Sequence, residues 1–182
     1  MAKPSQTELA VLAALSVRPM TGYAAREAIV TELGMFWSES FGQIYPALAR
    51  LREAGLVEAV QAQGSRSAVH RLTPAGRERL VELLREPVVA SPPRNGMLLR
   101  LFFGDVLGPA ACAELVLDAR RRAEETLARL ADARRGAEAE NHPQQPYWLM
   151  TVSAGEHAAR ATLAWADETL DALSRLGGPA AG

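Results

Sequence analysis

Apolar residues recur at helical spacing over most of this chain, and the interruptions mark the ends of elements. With a period of about 3.6 residues, the first 55 residues predict three helices, over roughly 5–16, 22–33 and 41–54. Thr21 is placed to cap the second helix. In the third, "FGQIYPALARLREAGLVE", Ile44, Leu48 and Leu51 share the inner face, and Gly55 ends the helix.

The period changes to about two residues after Gly55. The segments "LVEAVQ" and "RSAVHRLT" alternate on either side of the turn "AQGS", which predicts a β-hairpin over 56–73 with His70 facing solvent. Thr73-Pro74 then opens a fourth helix that ends before Pro87. Three helices, a hairpin and a fourth helix form a winged helix-turn-helix, whose third helix enters the DNA major groove and whose hairpin is the wing.

The Pro-rich stretch "VVASPPRNG" separates this half from one that is entirely helical. The pattern beyond it predicts a short apolar helix over 97–104 and long helices over 109–136 and 146–176. We therefore predict a mainly α chain with a two-stranded β-wing, divided into a winged helix-turn-helix domain (1–87), a linker (88–96), a helical dimerisation and effector domain (97–176) and a tail (177–182).

The last predicted helix carries an apolar stripe that is longer than one winged helix can cover. Alanines in this stripe allow helices to approach closely, and Trp165 offers a large apolar face. We expect a homodimer that is held together by this helix, through Leu163, Trp165, Leu170 and Leu173.

The composition and charge of the chain are compatible with a DNA-binding face but do not by themselves predict one. The net charge is −1, but six Arg stand against three Glu within 40–80. One cysteine, Cys112, excludes an intrachain disulfide and fits a reducing cytoplasm, and its apolar surroundings predict a buried side chain. No apolar run approaches the ~20 residues of a membrane span, so we expect a cytoplasmic protein with no membrane partner.

Motifs of catalysis are missing from the chain. It contains no H-E-x-x-H, no paired cysteines for zinc, no Gly-rich phosphate loop and no G-x-S-x-G. We expect no enzyme activity, no metal and no cofactor.

The outward face of the third helix suits double-stranded DNA. Gln43 has the amide that pairs with an adenine edge, the hydroxyls of Ser40 and Tyr45 reach phosphates or bases, and Arg50 adds charge. Ser40 also has a structural alternative, as the cap of its helix. The rival function is a winged-helix adaptor that docks proteins without binding DNA, which would give no salt-sensitive gel shift.

The segments "TELAVLAAL", "TGYAAREAI", "SFGQIYPALARLREAGLVEA" and "RLTPAGRERL" resemble the PadR family of transcriptional regulators, from Thr7 to about Leu80. The segment "YWLMTVSAGEHAARATLAWADETLDAL" is similar to the closing helix of the subgroup with a larger C-terminal domain. The resemblance implies a dimeric repressor that binds an inverted-repeat operator and releases it when a small molecule binds.

Carried over position by position, the resemblance puts DNA contacts on Ser40, Gln43 and Tyr45 and adds Tyr23 of "TGY". In the wing this chain has Ala68 and His70 where relatives commonly have Lys and Tyr. Phosphate contacts there would instead come from the wing residues Arg66 and Arg71.

The resemblance also implies an aromatic pocket for a small aromatic or hydrophobic effector. The alternative for these side chains is packing within the helical core. The candidates, which we expect to line a cavity between the two halves, are Phe102, Phe103, Trp148 and Met150.

Overall fold

The chain folds into two units, Met1–Ala90 and Ser91–Gly182. The structure is a computed structural model, and it describes residues 6–32, 41–61, 68–88 and 94–176. The first unit contains α1 (Gln6–Val17), β1 (Met20–Thr21), α2 (Gly22–Glu32), α3 (Phe41–Glu53), β2 (Val57–Gln61), β3 (Ala68–Leu72) and α4 (Pro74–Arg85). The second contains α5 (Gly96–Phe102), α6 (Gly104–Leu107), α7 (Pro109–Ala139) and α8 (Gln145–Leu176).

Helix α1 lies at the centre of the first unit, where it contacts α2, α3, α4 and β3. The core is apolar, and its largest fully buried side chains in this unit are Val11, Leu12, Ile29 and Ile44. Burial of this apolar surface is the main force that holds the helices together. The predicted winged helix-turn-helix is therefore confirmed, with each predicted helix within two residues of its observed bounds.

The end of α3 is a Schellman motif. Gly55 has φ 71°, its N–H donates to Arg52 O at 3.0 Å, and the next N–H, of Leu56, donates to Leu51 O at 2.9 Å. This left-handed conformation favours glycine. This motif turns the chain directly from α3 into strand β2 of the wing.

The predicted hairpin is present, but it belongs to a sheet of three strands rather than two. The strand order is β1-β3-β2, with both pairs antiparallel. His70 pairs with Met20 on one side and with Ala59 on the other. The expectation that His70 faces solvent was wrong: the residue is only 8% exposed, because β1 makes β3 the central strand.

Helices α7 and α8 form an antiparallel hairpin. Their contacts run in opposite directions along the chain, from Arg120–Asp167 to Arg134–Glu156. The buried positions of α7, which include Cys112 at 1% exposure, recur at spacings of four and seven residues, as in a coiled coil. The buried side chain predicted for Cys112 is thus confirmed.

A buried carboxylate lies between the two long helices. Glu156 accepts from Arg134 Nε at 2.8 Å and from Arg134 Nη2 at 3.0 Å, and Arg160 Nη2 lies 3.3 Å away. The hydrogen bonds from Arg134 hold the pKa of Glu156 below its usual range. Because a paired guanidinium and carboxylate have one best geometry, this pair fixes the register of α7 against α8.

No described helix is both long and apolar enough to cross a membrane. Within the same described ranges, no group of three His, Cys, Asp or Glu side chains is arranged to hold a metal ion.

Candidate nucleic-acid interface

The exposed face of α3 is divided into a centre and two flanks. With about 100° between successive residues, the buried positions lie together on one arc, and they are Ile44, Ala47, Leu48 and Leu51. Opposite them, the centre of the exposed face carries the small or short-chained residues Gly42, Pro46 and Ala49, with Glu53 at its end. Backbone and short side chains at this centre allow close approach to another molecule.

Gln43 and Arg50 lie on the flank of α3 that faces α1. Arg50 Nε donates to Glu8 Oε1 of α1 at 2.8 Å, which ties the recognition helix to the first helix. A guanidinium has five N–H donors, and this bond uses one of them. The amide of Gln43 is exposed.

Tyr45 and Arg52 lie on the opposite flank, and Tyr45 extends toward the start of α2. The Tyr45 side chain is 50% exposed, and its ring passes over Gly22, the first residue of α2. The predicted cap of α2 is confirmed, since Thr21 Oγ1 accepts from Ala24 N at 3.1 Å. The structure therefore brings the polar edge of α3 next to a helix N-terminus, whose N–H groups favour anions.

Tyr23 follows Gly22 in the first turn of α2. It is 63% exposed, and the guanidinium carbon of Arg26 lies 6.0 Å from the centre of its ring. Two exposed phenols and a nearby cation at the start of α2 are groups that bind phosphate oxygens. Of the positions assigned to DNA from the sequence, Tyr23 and Tyr45 are thus close to the same helix end.

The wing carries cations that are paired with its own carboxylates. Arg71 Nε donates to Glu58 Oε1 at 2.7 Å across the β2–β3 pair. A groove of about 540 Å³ between the end of α3 and β2 is lined by Arg52 together with Glu53 and Glu58. Positive charge on this side is therefore locally balanced by carboxylates.

Two of the predicted DNA contacts, Ser40 and Arg66, lie outside the described residues. Most of the predicted linker (89–93 of 88–96) and the whole predicted tail (177–182) do so as well.

His70 is part of strand β3 of the wing, but its side chain is buried. Among the residues that the structure describes, its Nδ1 is buried and has no hydrogen-bond partner. Burial, and then the nearby positive charge of Arg52, hold the pKa of His70 below its usual value. The imidazole is therefore neutral in the folded protein at neutral pH, and it is not a phosphate contact.

The four residues proposed from the sequence for an effector pocket form two separate ring contacts. Phe102 meets Phe103 edge to face at 5.2 Å between centroids, and Trp148 stacks on His142 at 5.1 Å. Phe102 is 82% exposed, and Phe103 and Met150 are also mostly exposed.

The residues proposed for dimerisation are half-buried within the chain. Leu163, Leu170 and Leu173 continue the three- and four-residue spacing of the buried Val152, Ala159 and Ala166, so they lie on the face of α8 that meets α7. Trp165 is also half-buried.

An exposed apolar surface that the sequence analysis did not single out covers α5 and α6. Neither helix has a buried residue. The surface, called here the α5–α6 surface, consists of Leu98, Leu99, Phe102, Phe103, Val106 and Leu107. The short apolar run was visible in the sequence, but its exposure was not, because an apolar run is equally compatible with burial inside the chain.

Comparison with known families covers both units. The transcriptional regulator PadR-like family model matches residues 11–82, and the model described as "Virulence activator alpha C-term" matches residues 93–174. The negative transcriptional regulator PadR of Bacillus subtilis (strain 168) is 26% identical over 113 residues, which is 60% of this chain and 62% of that protein's length.

Solved structures share the whole fold. The PadR-like transcriptional regulator BC1756 from Bacillus cereus has a TM-score of 0.80 at 20% identity, over 93% of this chain and 99% of that one. Bacillus subtilis PadR in complex with operator DNA has a TM-score of 0.77 at 21% identity, over 91% and 98%. The same protein in complex with p-coumaric acid has a TM-score of 0.75 at 21% identity, over 92% and 98%.

The winged-helix fold of the first unit agrees with its match to a family of transcriptional regulators. Neither matched family is a family of enzymes. Residues 11–82 therefore carry a PadR-like transcriptional regulator domain, and residues 93–174 carry the domain described as "Virulence activator alpha C-term".

Proposed function

We propose that this chain is a cytoplasmic repressor that binds an inverted-repeat operator as a homodimer and is released from it by a small aromatic molecule. The observation that carries the DNA-binding part is the exposed polar residues on both flanks of α3, with Gln43 on the flank facing α1 and Tyr45 on the flank that meets the start of α2, where Tyr23 is also exposed. Repression is supported by the description of the Bacillus subtilis relative as a negative regulator.

The exposed residues on the two flanks of α3 contact different parts of the DNA, the base edges and the phosphates. Gln43 reads a base edge, since its exposed amide offers the donor and the acceptor that an adenine requires. Tyr45 and Tyr23 bind phosphate oxygens beside the N-terminus of α2. Further contacts to the DNA phosphate backbone come from Ser40, Arg50, Arg66 and Arg71. Arg50 makes its contact with the N–H groups that are not bonded to Glu8.

The homodimer forms through the second unit, and the α5–α6 surface is its centre. Isolated helices shorter than ~12 residues are marginal in water, yet α5 and α6 span seven and four residues and bury none of them. Six apolar side chains with about half or more of their area exposed offer roughly 500–700 Å², close to the ~800 Å² per partner of a stable interface. Trp165 and the α8 leucines add the area that α7 leaves uncovered.

Two charged residues, Arg100 and Asp105, stand among the apolar residues of α5 and α6, whereas the cores of protein interfaces are depleted of charge. Arg100, the cation of α5, folds back on its own helix, and its Nη1 donates to Gly96 O at 2.9 Å. A two-fold dimer requires an inverted-repeat operator with half-site centres about one helical turn apart, or a multiple of that.

The effector binds near Trp148 and Met150, at the start of α8. Phe102 and Phe103 do not share this site, because the antiparallel pairing of α7 with α8 leaves them at the other end of the helical hairpin, within the α5–α6 surface. Planar molecules gain contact area on aromatic rings and on thioethers. The complex of the Bacillus subtilis protein with p-coumaric acid supports this class of ligand. The ligand must bind the shape that does not bind DNA more tightly, since equal affinity for both shapes shifts nothing.

The test begins with selection of bound sites from a random DNA library, followed by anisotropy titrations of the selected site at several salt concentrations. We expect an inverted repeat and an affinity that falls with salt. Titration with p-coumaric acid should quench tryptophan emission and release DNA over the same concentration range. Recovery of no preferred site, with no salt-sensitive binding, would instead support the protein-docking adaptor.

A further inference from the structure

The ring of Tyr45 and the backbone of Gly22 are in direct contact. A Cβ placed on Gly22 would lie 3.1 Å from Tyr45 Cε1 and 3.6 Å from Cδ1. On its other side the same Cβ would lie 3.4 Å from Leu48 Cδ2. The missing side chain of Gly22 therefore leaves the space that the Tyr45 ring occupies.

Backbone conformation does not explain a glycine at this position. Among the described glycines only Gly55 and Gly108 have a positive φ, so the backbone of Gly22 is one that alanine adopts without strain. Gly22 is also the first residue of an 11-residue helix, where alanine is the better helix former. The feature that favours glycine over alanine at this position is the Tyr45 ring, which a Cβ would approach too closely.

The two neighbours of Gly22 differ in their freedom to move. Leu48 is buried in the core, while half of the Tyr45 side chain is exposed. A methyl group between them would displace the side chain that is free at one end, and protein cores resist such shifts. The ring of Tyr45 would have to move by a few tenths of an ångström away from the start of α2, and its hydroxyl would be displaced with it.

We propose that Gly22 is a positioning residue for DNA recognition, because its bare backbone holds the Tyr45 phenol beside the N-terminus of α2. This inference rests on the proposed DNA contact of Tyr45. It assigns Gly22 no contact with DNA of its own. Gly22 acts on operator affinity only through the position of the ring.

The experiment compares full-length Gly22→Ala, Tyr45→Ala and the double variant, with Gly136→Ala as the control. Gly136 lies inside α7 with nothing within 4 Å of its added Cβ, so it reports the effect of the substitution in an open helix. The readouts are affinity for the operator selected by the wild-type protein and the midpoint of thermal unfolding.

We expect Gly22→Ala to bind the operator a few-fold more weakly and to lose less affinity than Tyr45→Ala, because the hydrogen bond of the phenol is displaced and not removed. Its unfolding midpoint should stay at or above that of the wild type. In the Tyr45→Ala background the Gly22→Ala substitution should cause no further loss of affinity, because there is no ring to displace. Gly136→Ala should bind as the wild type does.

Each contrary result has a distinct meaning. Wild-type affinity for Gly22→Ala, or losses that add up in the double variant, would overturn the positioning role while leaving Tyr45 as a DNA contact. Wild-type affinity for Tyr45→Ala would show that the proposed contact of Tyr45 itself is wrong. If Gly22→Ala lowers the unfolding midpoint, the double variant should restore it, and failure to do so would also overturn the inference.

Discussion

A Cβ on Gly76 would overlap the carbonyl oxygen of Leu56, because the first turn of α4 crosses over the residue that links α3 to the wing. The same carbonyl accepts from Thr73 N at 3.1 Å. Thr73 Oγ1 in turn donates to Gly55 O at 2.8 Å and accepts from Gly76 N at 3.0 Å as the cap of α4. The end of the recognition helix, the wing and α4 thus meet at one junction.

Gly76→Ala should destabilise the first unit by about 1–3 kcal/mol, the usual cost of overpacking. The contact is with backbone, which cannot rotate away as a side chain does. Chemical denaturation followed by far-UV circular dichroism measures the loss. Gly136→Ala is the matched control and should be neutral or gain up to ~1 kcal/mol from helix propensity. Equal stability of the two variants would contradict the close approach at Leu56.

The buried imidazole of His70 should make the stability of the winged helix depend on pH. Its folded pKa lies below the ordinary value of 6.5, so the unfolded chain binds the proton more readily. Its contribution to stability is complete above that value and is lost as the pH falls through it toward the lowered folded pKa. The temperature midpoint of unfolding should therefore decrease as the pH is lowered from about 7.5 to about 5.5.

His70→Leu removes both the titrating group and the unpaired Nδ1. It should be as stable as the wild type at neutral pH or more so, since an unsatisfied buried polar atom costs about 1–3 kcal/mol. Its midpoint should change less with pH than that of the wild type. His157→Gln, at an exposed site on α8, should keep the wild-type pH dependence. A pH profile that His70→Leu leaves unchanged would show that another group is responsible.

The helices and the hairpin were predictable because their periods are visible in neighbouring residues. Strand β1 has two residues, too few to display any period, and it was missed. That omission led to the wrong exposure for His70, whose second strand partner, Met20, lies 50 positions earlier in the chain. Burial in the central strand of a sheet depends on pairing between distant segments, which alternation within one segment does not report.

The candidate site was predictable only in its residue types. Spacing placed Gln43 and Tyr45 outside the core, and both are exposed. Spacing did not reveal that Arg50 meets Glu8, or that the Tyr45 ring needs the space at Gly22, because each contact joins two helices. Likewise, the stripe of α8 indicated burial, while the partner that covers it, α7, became clear only from the structure.

Gln43 and Arg71 should affect operator binding in different ways. Gln43→Ala should cost ~1–3 kcal/mol at the operator and relax the preference at one base position. Arg71→Ala should weaken binding to all sequences alike and make the salt slope about one unit shallower; Arg66→Ala should do the same. Anisotropy titrations with operator and scrambled DNA separate the two effects. Unchanged selectivity in Gln43→Ala would mean that another part of α3 reads the bases.

The ion pair between Glu156 and Arg134 should matter for the helical unit more than other surface pairs. Glu156→Ala leaves the Arg134 guanidinium without its two-bonded partner inside the hairpin, and an uncompensated charge between helices is costly. Its lowered pKa means that the contribution of Glu156 is present above its ordinary range and is lost in acid.

Thermal unfolding of Glu156→Ala should show a midpoint several degrees below that of the wild type at neutral pH. Glu168→Ala, at an exposed position of the same helix, is the control and should melt close to the wild type. The difference between the two variants should shrink as the pH is lowered into the acid range. If the two variants melt together at neutral pH, the register of α7 and α8 is set by apolar packing alone.

The α5–α6 surface should decide whether the protein is a dimer. Val106 is 88% exposed and points out of the shortest helix, so a charge there disturbs no core within the chain. Val106→Glu, and still more the pair Leu99→Glu with Val106→Glu, should shift the protein toward monomer in sedimentation velocity. Burying two carboxylates in an apolar interface is strongly unfavourable, while the isolated chain keeps its circular dichroism.

Loss of the dimer should also weaken operator binding, since one winged helix buries only ~600–1,000 Å² on DNA. A linked second module raises avidity by ~10²–10⁴-fold, and the monomeric variants should lose about that much. Leu84→Glu, at an equally exposed leucine of α4 in the first unit, should stay dimeric. Trp165→Asp tests the α8 contribution and should weaken the dimer as well. Dimers that persist with the double substitution would assign the α5–α6 surface to another partner. Monomers that bind the inverted repeat as tightly as wild type would show that operator binding does not depend on the dimer.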